Sequence, residues 1–212
     1  MAVSESSALR YQALDPDVRL MLQVRDDNAA AFEELVLRHQ NRLITVLEHL
    51  VHKRELAEDL AQDVFLRVYR ARKSYEPGAK FRTWLYTIAN NVASNARRSN
   101  FRRKEINVSA PVDGESNTQP LDRMALAASG LMPARLLDKA EMTDAVRQAI
   151  DSLNEQQRMA VLLSKFEEMS YADIAETMKL SVPAVKSLLW RARECLRVIL
   201  EPYMKEGMKP KP

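Results

Sequence analysis

Ser170-Tyr171-Ala172-Asp173-Ile174-Ala175-Glu176-Thr177-Met178-Lys179-Leu180-Ser181 runs directly into Val182-Pro183-Ala184-Val185-Lys186-Ser187-Leu188-Leu189-Trp190-Arg191-Ala192-Arg193. Ser170 and Asp173 have the spacing of a capping-box variant, which opens a short helix through Met178. Lys179-Leu180-Ser181 makes a tight turn, and Ser181 can cap a longer helix to about Leu200. A short helix, a three-residue turn and a longer basic helix describe a helix-turn-helix of the DNA-binding kind. At 100° per residue, Val185, Leu189, Ala192, Leu196 and Ile199 fall on one side, flanked by Leu188 and Cys195. Pro183, Lys186, Ser187, Trp190, Arg191 and Glu194 fall on the other. An indole among basic residues on a polar face either meets a base or covers a neighbouring helix.

Upstream of this motif, periodicity resumes after Pro133 with Leu136, Leu137, Ala140, Val146 and Ile150, and a further helix carries Met159, Leu162, Leu163 and Phe166 inward. From Asn107 to Pro133 the composition changes to Pro, Gly, Ser, Asn, Thr and Gln, which reads as a linker with a short helical turn near 121–128. Before it lies an N-terminal helical domain. Asp15-Pro16 starts a short helix ending near Asp26-Asp27-Asn28, and Asn28 caps the next, with Phe32, Leu35, Val36, Leu43, Val46, Leu47 and Leu50 inward. A third helix, Glu55 to Lys73, has two apolar stripes: Leu56, Leu60, Val64 and Val68, then Phe65, Leu66 and Tyr69. A fourth, Phe81 to Ser99, turns Phe81, Trp84, Leu85, Ile88 and Val92 inward. Beside them runs a flank of Thr87, Asn91, Ser94, Asn95 and Arg98, in which amides suit base edges and the guanidinium suits phosphate.

The expected architecture is all-α: two small helical domains joined by a flexible linker, the second a helix-turn-helix of winged-helix-like size without strands. The expected bounds are a flexible N-terminus at 1–14, a first domain at 15–104, a linker at 105–132, a second domain at 133–201 and a flexible tail at 202–212. The linker offers little apolar surface to fix an interface, so the two domains are expected to move independently.

Composition narrows the function. The 212 residues include only 4 Gly and 1 Cys, which excludes Gly-rich phosphate loops, an intrachain disulfide and a Cys-built zinc site. No apolar run approaches a membrane span and no signal pattern opens the chain, so it reads as cytoplasmic, with no membrane insertion. The net charge is only +3, but its distribution is uneven. Pro77 to Lys104 contains no acid and holds Lys80, Arg82, Arg97, Arg98, Arg102, Arg103 and Lys104. A second basic stretch holds Lys179, Lys186, Arg191, Arg193 and Arg197. Two such patches suit a polyanion touched at two places, or are solvated helix faces. His39, His49 and His52 read as helix-surface histidines, and the adjacent acid pairs do not converge. No catalytic residue, metal ligand or cofactor is assigned, and the chain is not expected to be an enzyme.

Two strings point further. Asp59-Leu60-Ala61-Gln62-Asp63-Val64-Phe65 with Phe81-Arg82-Thr83-Trp84-Leu85-Tyr86-Thr87-Ile88-Ala89-Asn90-Asn91 resembles the promoter-melting and −10-reading part of a bacterial extracytoplasmic-function (ECF) sigma factor of the sigma-70 family. The helix-turn-helix, with Val185-Lys186-Ser187 and Arg191-Ala192-Arg193, resembles that family's −35-reading domain. The resemblance covers roughly 17–103 and 133–200, in the family's order. It implies that Asp59, Gln62, Asp63 and Arg67 dock on the clamp helices of the largest subunit of core RNA polymerase. It implies that the loop Ser74–Lys80 and Asn91 hold a flipped base, with Lys80, Arg82, Asn91, Asn95 and Arg98 along the −10 DNA. Lys186, Ser187, Trp190 and Arg191 would face the −35 major groove. Promoter DNA is the implied ligand, and an anti-sigma factor is an admissible partner. The chain departs from the family pattern at Glu168, Lys179 and Pro183, where Gly is frequent, and at Ala184 and Leu188. A stand-alone regulator, its N-terminal half serving dimerisation or ligand binding, is the alternative. The basic Asn-bearing helix in the first half favours the sigma reading, because a dimerisation domain has no need of it.

Overall fold

The computed structural model describes residues 11, 13–108 and 134–206, all helix and connecting turns with no strand among them. Asp15 caps α1 (Pro16–Arg25), accepting the Asp17 amide at 2.9 Å, with Pro16 pre-set in the first turn. The second carboxylate oxygen of Asp15 accepts the amide of Phe81 at 3.0 Å. That amide is an orphan donor at the start of α4, so one side chain fixes two helix N-termini. Asn28 caps α2 (Ala29–Val51), and His52 ends it in the left-handed region at φ 58°. Next come α3 (Arg54–Arg70), a 3-10 turn at Arg72–Ser74 and α4 (Phe81–Val108). Val18 and Met21 of α1, Leu35, Leu43 and Leu47 of α2, Val64 and Val68 of α3, and Phe81, Leu85 and Tyr86 of α4 close one core.

Several expectations shift here. On α3 the buried positions are Ala57, Ala61, Val64, Phe65 and Val68, while Leu66 is 53% exposed. Small Ala side chains take the seam, and the larger Leu56 and Leu60 sit at its edges. His39 is not a surface residue. It is buried, with Nε2 2.8 Å from a carboxylate oxygen of Asp17, whose other oxygen takes Arg38 at 2.9 Å. Tyr11, Ala13 and Leu14, expected in a flexible N-terminus, are helical, and Tyr11 packs on the core. α4 passes the expected domain end and runs to Val108, since no Gly or Pro interrupts it. The rest of the expected linker, including the turn near 121–128, lies outside the described residues.

The second half comprises α5 (Ala134–Ser152), α6 (Glu155–Lys165), α7 (Tyr171–Met178) and α8 (Val182–Glu206). Asn154 with Gln157 and Ser170 with Asp173 form complete capping boxes for α6 and α7. Phe166, expected inward, is 42% exposed at the end of α6. α8 continues through Pro202, where a flexible tail was expected to begin.

The halves do not stand apart. Arg158 of α6 is buried and threads its guanidinium between them. Its Nε and Nη2 donate to the carbonyls of Ile150 (3.1 Å), Asp151 (2.5 Å) and Leu153 (2.9 Å), and its Nη1 donates to the carbonyl of His49 at 3.2 Å in the first half. The same Nη1 lies 2.7 Å from Nε2 of His52. The Thr177 hydroxyl of α7 reaches the carbonyl of Thr83 on α4 at 3.4 Å, and both residues are buried. Helix faces build this interface, so the polar composition of the linker said nothing about it.

Candidate nucleic-acid interface

The helix-turn-helix forms as its residues dictate. Lys179 ends α7 at φ 55°, ψ 44°, which lets its amide reach the Glu176 carbonyl (3.2 Å) and that of Leu180 reach Ala175 (2.9 Å). Ser181 Oγ then accepts the Ala184 amide at 3.4 Å and starts α8. Glu168 takes φ 52° in the preceding turn. Two of the three positions where Gly was noted as absent therefore do adopt the left-handed conformation, while Pro183 sits inside the first turn of α8, as its ring favours.

On α8, Val185, Leu189 and Ala192 are buried, and Lys186, Ser187, Trp190 and Arg191 are exposed together on the opposite face. Trp190 is 64% exposed, which removes the reading that it covers a neighbouring helix. The face offers an ammonium, a hydroxyl, a guanidinium and a flat apolar edge, the set that reads a major groove. Part of the basic stretch is engaged locally: Arg197 pairs with Glu194 at 2.9 Å and Arg193 reaches the Tyr171 hydroxyl at 3.4 Å.

The residues expected on −10 DNA divide into two groups. Asn91, Asn95 and Arg98 are exposed along one face of α4. Thr87 donates its hydroxyl back to the Thr83 carbonyl at 2.8 Å, and Ser94 lies 3.5 Å from Glu155 of α6, so both drop out of that face. Lys80 and Arg82 instead meet the second half. Lys80 Nζ is 3.0 Å from Asp173, and Arg82 Nη1 donates to the Glu167 carbonyl at 2.6 Å. In the loop before α4, Tyr75 is buried 4.8 Å from Trp84, ring to ring. Burial, with Asp15 adding to it, holds its hydroxyl neutral far above the ordinary tyrosine range.

The residues expected on polymerase lie on α3. Asp59, Gln62 and Arg67 are exposed and Asp63 is partly so, with Arg67 bidentate to Asp63 at 3.1 and 3.0 Å. Gln62 borders an apolar groove of about 460 Å³ between α2 and α3, lined by Phe32, Val36, Ile44, Phe65 and Leu66. The second apolar stripe of α3 already hinted at the groove. Nothing in the sequence marked Arg158 or Glu167 as interface residues. Among the described residues no cluster of His, Cys, Asp and Glu could hold a metal ion, and no helix is long and apolar enough to cross a membrane.

A family model described as Sigma-70 region 2 matches residues 35–103, and one described as Sigma-70, region 4 matches residues 143–196. The RNA polymerase sigma-H factor of Pseudomonas aeruginosa is 32% identical over 198 residues, covering 91% of this chain and 98% of its own. The chain belongs to the sigma-70 family of RNA polymerase sigma factors, in its ECF branch. The ECF RNA polymerase sigma-E factor of Escherichia coli is 29% identical over 194 residues, covering 89% of this sigma factor and 96% of its own length. Among solved structures, CnrH in complex with the cytosolic domain of CnrY aligns with a TM-score of 0.62 at 24% identity, over 89% of this chain and 99% of that one. The sigma factor RpoE of Bartonella quintana, in complex with the anti-sigma factor NepR, aligns with a TM-score of 0.60 at 24% identity, over 80% and 96%. These two share the fold. Both halves of the sigma factor match the family, so the first is not an unrelated dimerisation domain.

Proposed function

We propose that this sigma factor works in the cytoplasm with core RNA polymerase and divides promoter recognition between its halves. Lys186, Ser187, Trp190 and Arg191 read the −35 major groove. Lys80, Arg82, Asn91, Asn95 and Arg98 hold the −10 strand as it opens, and Asp59, Gln62, Asp63 and Arg67 meet the polymerase clamp helices beside the apolar groove of α2 and α3. The observation that carries the reading is the amphipathic split of α8, with a solvent-facing Trp190 between Lys186 and Arg191 and the opposite face sealed in the core. The protein supplies position and recognition.

Titrating labelled sigma factor with core polymerase tests the docking face. Leu66→Ala and Gln62→Ala together should weaken binding by about tenfold, roughly 1.4 kcal/mol, and lower initiation in proportion at limiting sigma. Unchanged affinity in a normally folded variant would move the polymerase site elsewhere.

A further inference from the structure

Helix α1 is tied to both ends of the loop Ser74–Lys80. At the downstream end the amide of Phe81 opens α4, and Lys80 before it has no acceptor to offer, since an ammonium only donates. Asp15 supplies that acceptor from the start of α1, at 3.0 Å. At the upstream end Asp27, just beyond α1, takes Arg72 at 3.0 Å and Lys73 at 2.5 Å, and Lys73 also donates to the Arg25 carbonyl at 2.9 Å. Between these ties the loop folds on one indole: the ring of Tyr75 lies 4.8 Å from Trp84, and that of Phe81 lies 6.1 Å from it. Tyr75, Pro77 and Phe81 are buried, while Ser74, Glu76, Gly78 and Lys80 are exposed. We infer that α1 is a splint for −10 base selection, with Asp15 as its main positioning residue, holding the exposed side of this loop in the shape that receives an opened base. This rests on the reading of Ser74–Lys80 and Asn91 as the base-holding site.

Extruding a base is already costly, and ordering a loop in the same step would add to that cost. The loop has little of its own to order it. The Tyr75 amide reaches the Arg72 carbonyl at 3.2 Å and the Gly78 amide reaches that of Glu76 at 2.8 Å. The buried hydroxyl of Tyr75 has no hydrogen-bond partner, so ring packing alone holds that side chain. The two ties to α1 are unequal. One carboxylate of Asp15, partly buried, accepts amides from two helix N-termini, which is favourable for both dipoles. The side chains of Asp27 and Lys73 are more than half exposed, so salt screens their pair.

The test uses reconstituted holoenzyme and forked promoter templates, duplex through −35 and single-stranded on the −10 non-template strand, with each −10 base varied in turn. Asp15→Ser keeps a good cap for α1, but its single, shorter oxygen cannot also reach the Phe81 amide. It should bind the preferred base about fivefold less tightly, the equivalent of one hydrogen bond. Binding of disfavoured bases, −35 selectivity and core affinity should stay near wild type, so base discrimination falls by the same factor. Asp27→Asn removes the upstream charge while tolerating the φ of 65° that Asp27 adopts. It should give a smaller loss in the same direction, and that loss should vanish at high salt. Asn28→Ala removes a helix cap from the same half; it should lower the melting temperature and leave discrimination unchanged. Asp15→Asn, which keeps one acceptor, takes the place of Asp15→Ser if that variant proves unstable. Unchanged discrimination in folded Asp15→Ser holoenzyme, an equal loss on every base, or the same loss in Asn28→Ala overturns the inference. Asn91→Ala tests the underlying reading separately: lost discrimination supports it even where Asp15→Ser has no effect, and full discrimination overturns it.

Discussion

Trp190 and Arg191 sit where a side chain can be removed without touching the core, since Val185, Leu189 and Ala192 carry the packing of α8. Arg191→Ala should therefore leave the melting temperature near wild type. If Arg191 reads a base edge, the variant should lose about 1–3 kcal/mol at one or two −35 positions. If it touches phosphate alone, the loss is uniform and the salt slope falls by roughly 1. The pair of half-buried Asp17 and buried His39 makes a different prediction. The hydrogen bond from His39 holds the Asp17 carboxyl below its ordinary value of 3.8, against the opposing effect of burial. A depressed folded pKa contributes stability that is present above that ordinary value and is lost as pH falls through the folded one. Acid unfolding should accordingly be less steep in Asp17→Asn, which is also less stable than wild type at neutral pH; parallel stability–pH curves would exclude the pair as an acid-sensitive contact. Periodicity alone did not reveal His39 as buried, because a histidine on the inward face needs its partner, and Asp17 lies on another helix.

At the scale of helices, the local signals were the most legible part of the chain. Asp15, Asn28, Ser170 and Ser181 cap the helices that their side-chain chemistry favours. The extents of α4 and α8 were not legible. The expected end of α4 near Ser99 had no Gly or Pro behind it, and Pro202 did not end α8. The helix-turn-helix itself carries a measurable cost. Lys179 sits at φ 55° with a Cβ that crowds its own carbonyl, so Lys179→Gly should stabilise the second half by about 0.5–1 kcal/mol. Chemical denaturation followed by circular dichroism would read it, and a destabilised variant would mean that the Lys179 side chain makes a compensating contact.

Across the whole molecule, the order of the two family regions and the exposed polar face of α8 followed from motifs and spacing. The contact between the halves did not, because Arg158, Thr177 and Glu167 find their partners more than eighty residues away. Lacking polymerase, the sigma factor should bind duplex promoter DNA weakly and with steep salt dependence, since each half offers only a small basic face. Core enzyme would let both faces engage at once and raise avidity. Filter binding across a salt series, with and without core, would show this; tight sequence-specific duplex binding by the free chain would contradict it.

The division of promoter reading between the halves is tested most directly with reconstituted holoenzyme on promoters varied separately at −35 and −10, measuring initiation and the permanganate reactivity of −10 thymines. Arg191→Ala should relax selectivity at −35 and leave thymine reactivity on a saturating promoter unchanged. Asn91→Ala should keep −35 selectivity and lose −10 discrimination or strand opening. If both variants keep wild-type selectivity and opening while binding core polymerase normally, the assignment of these two faces is wrong.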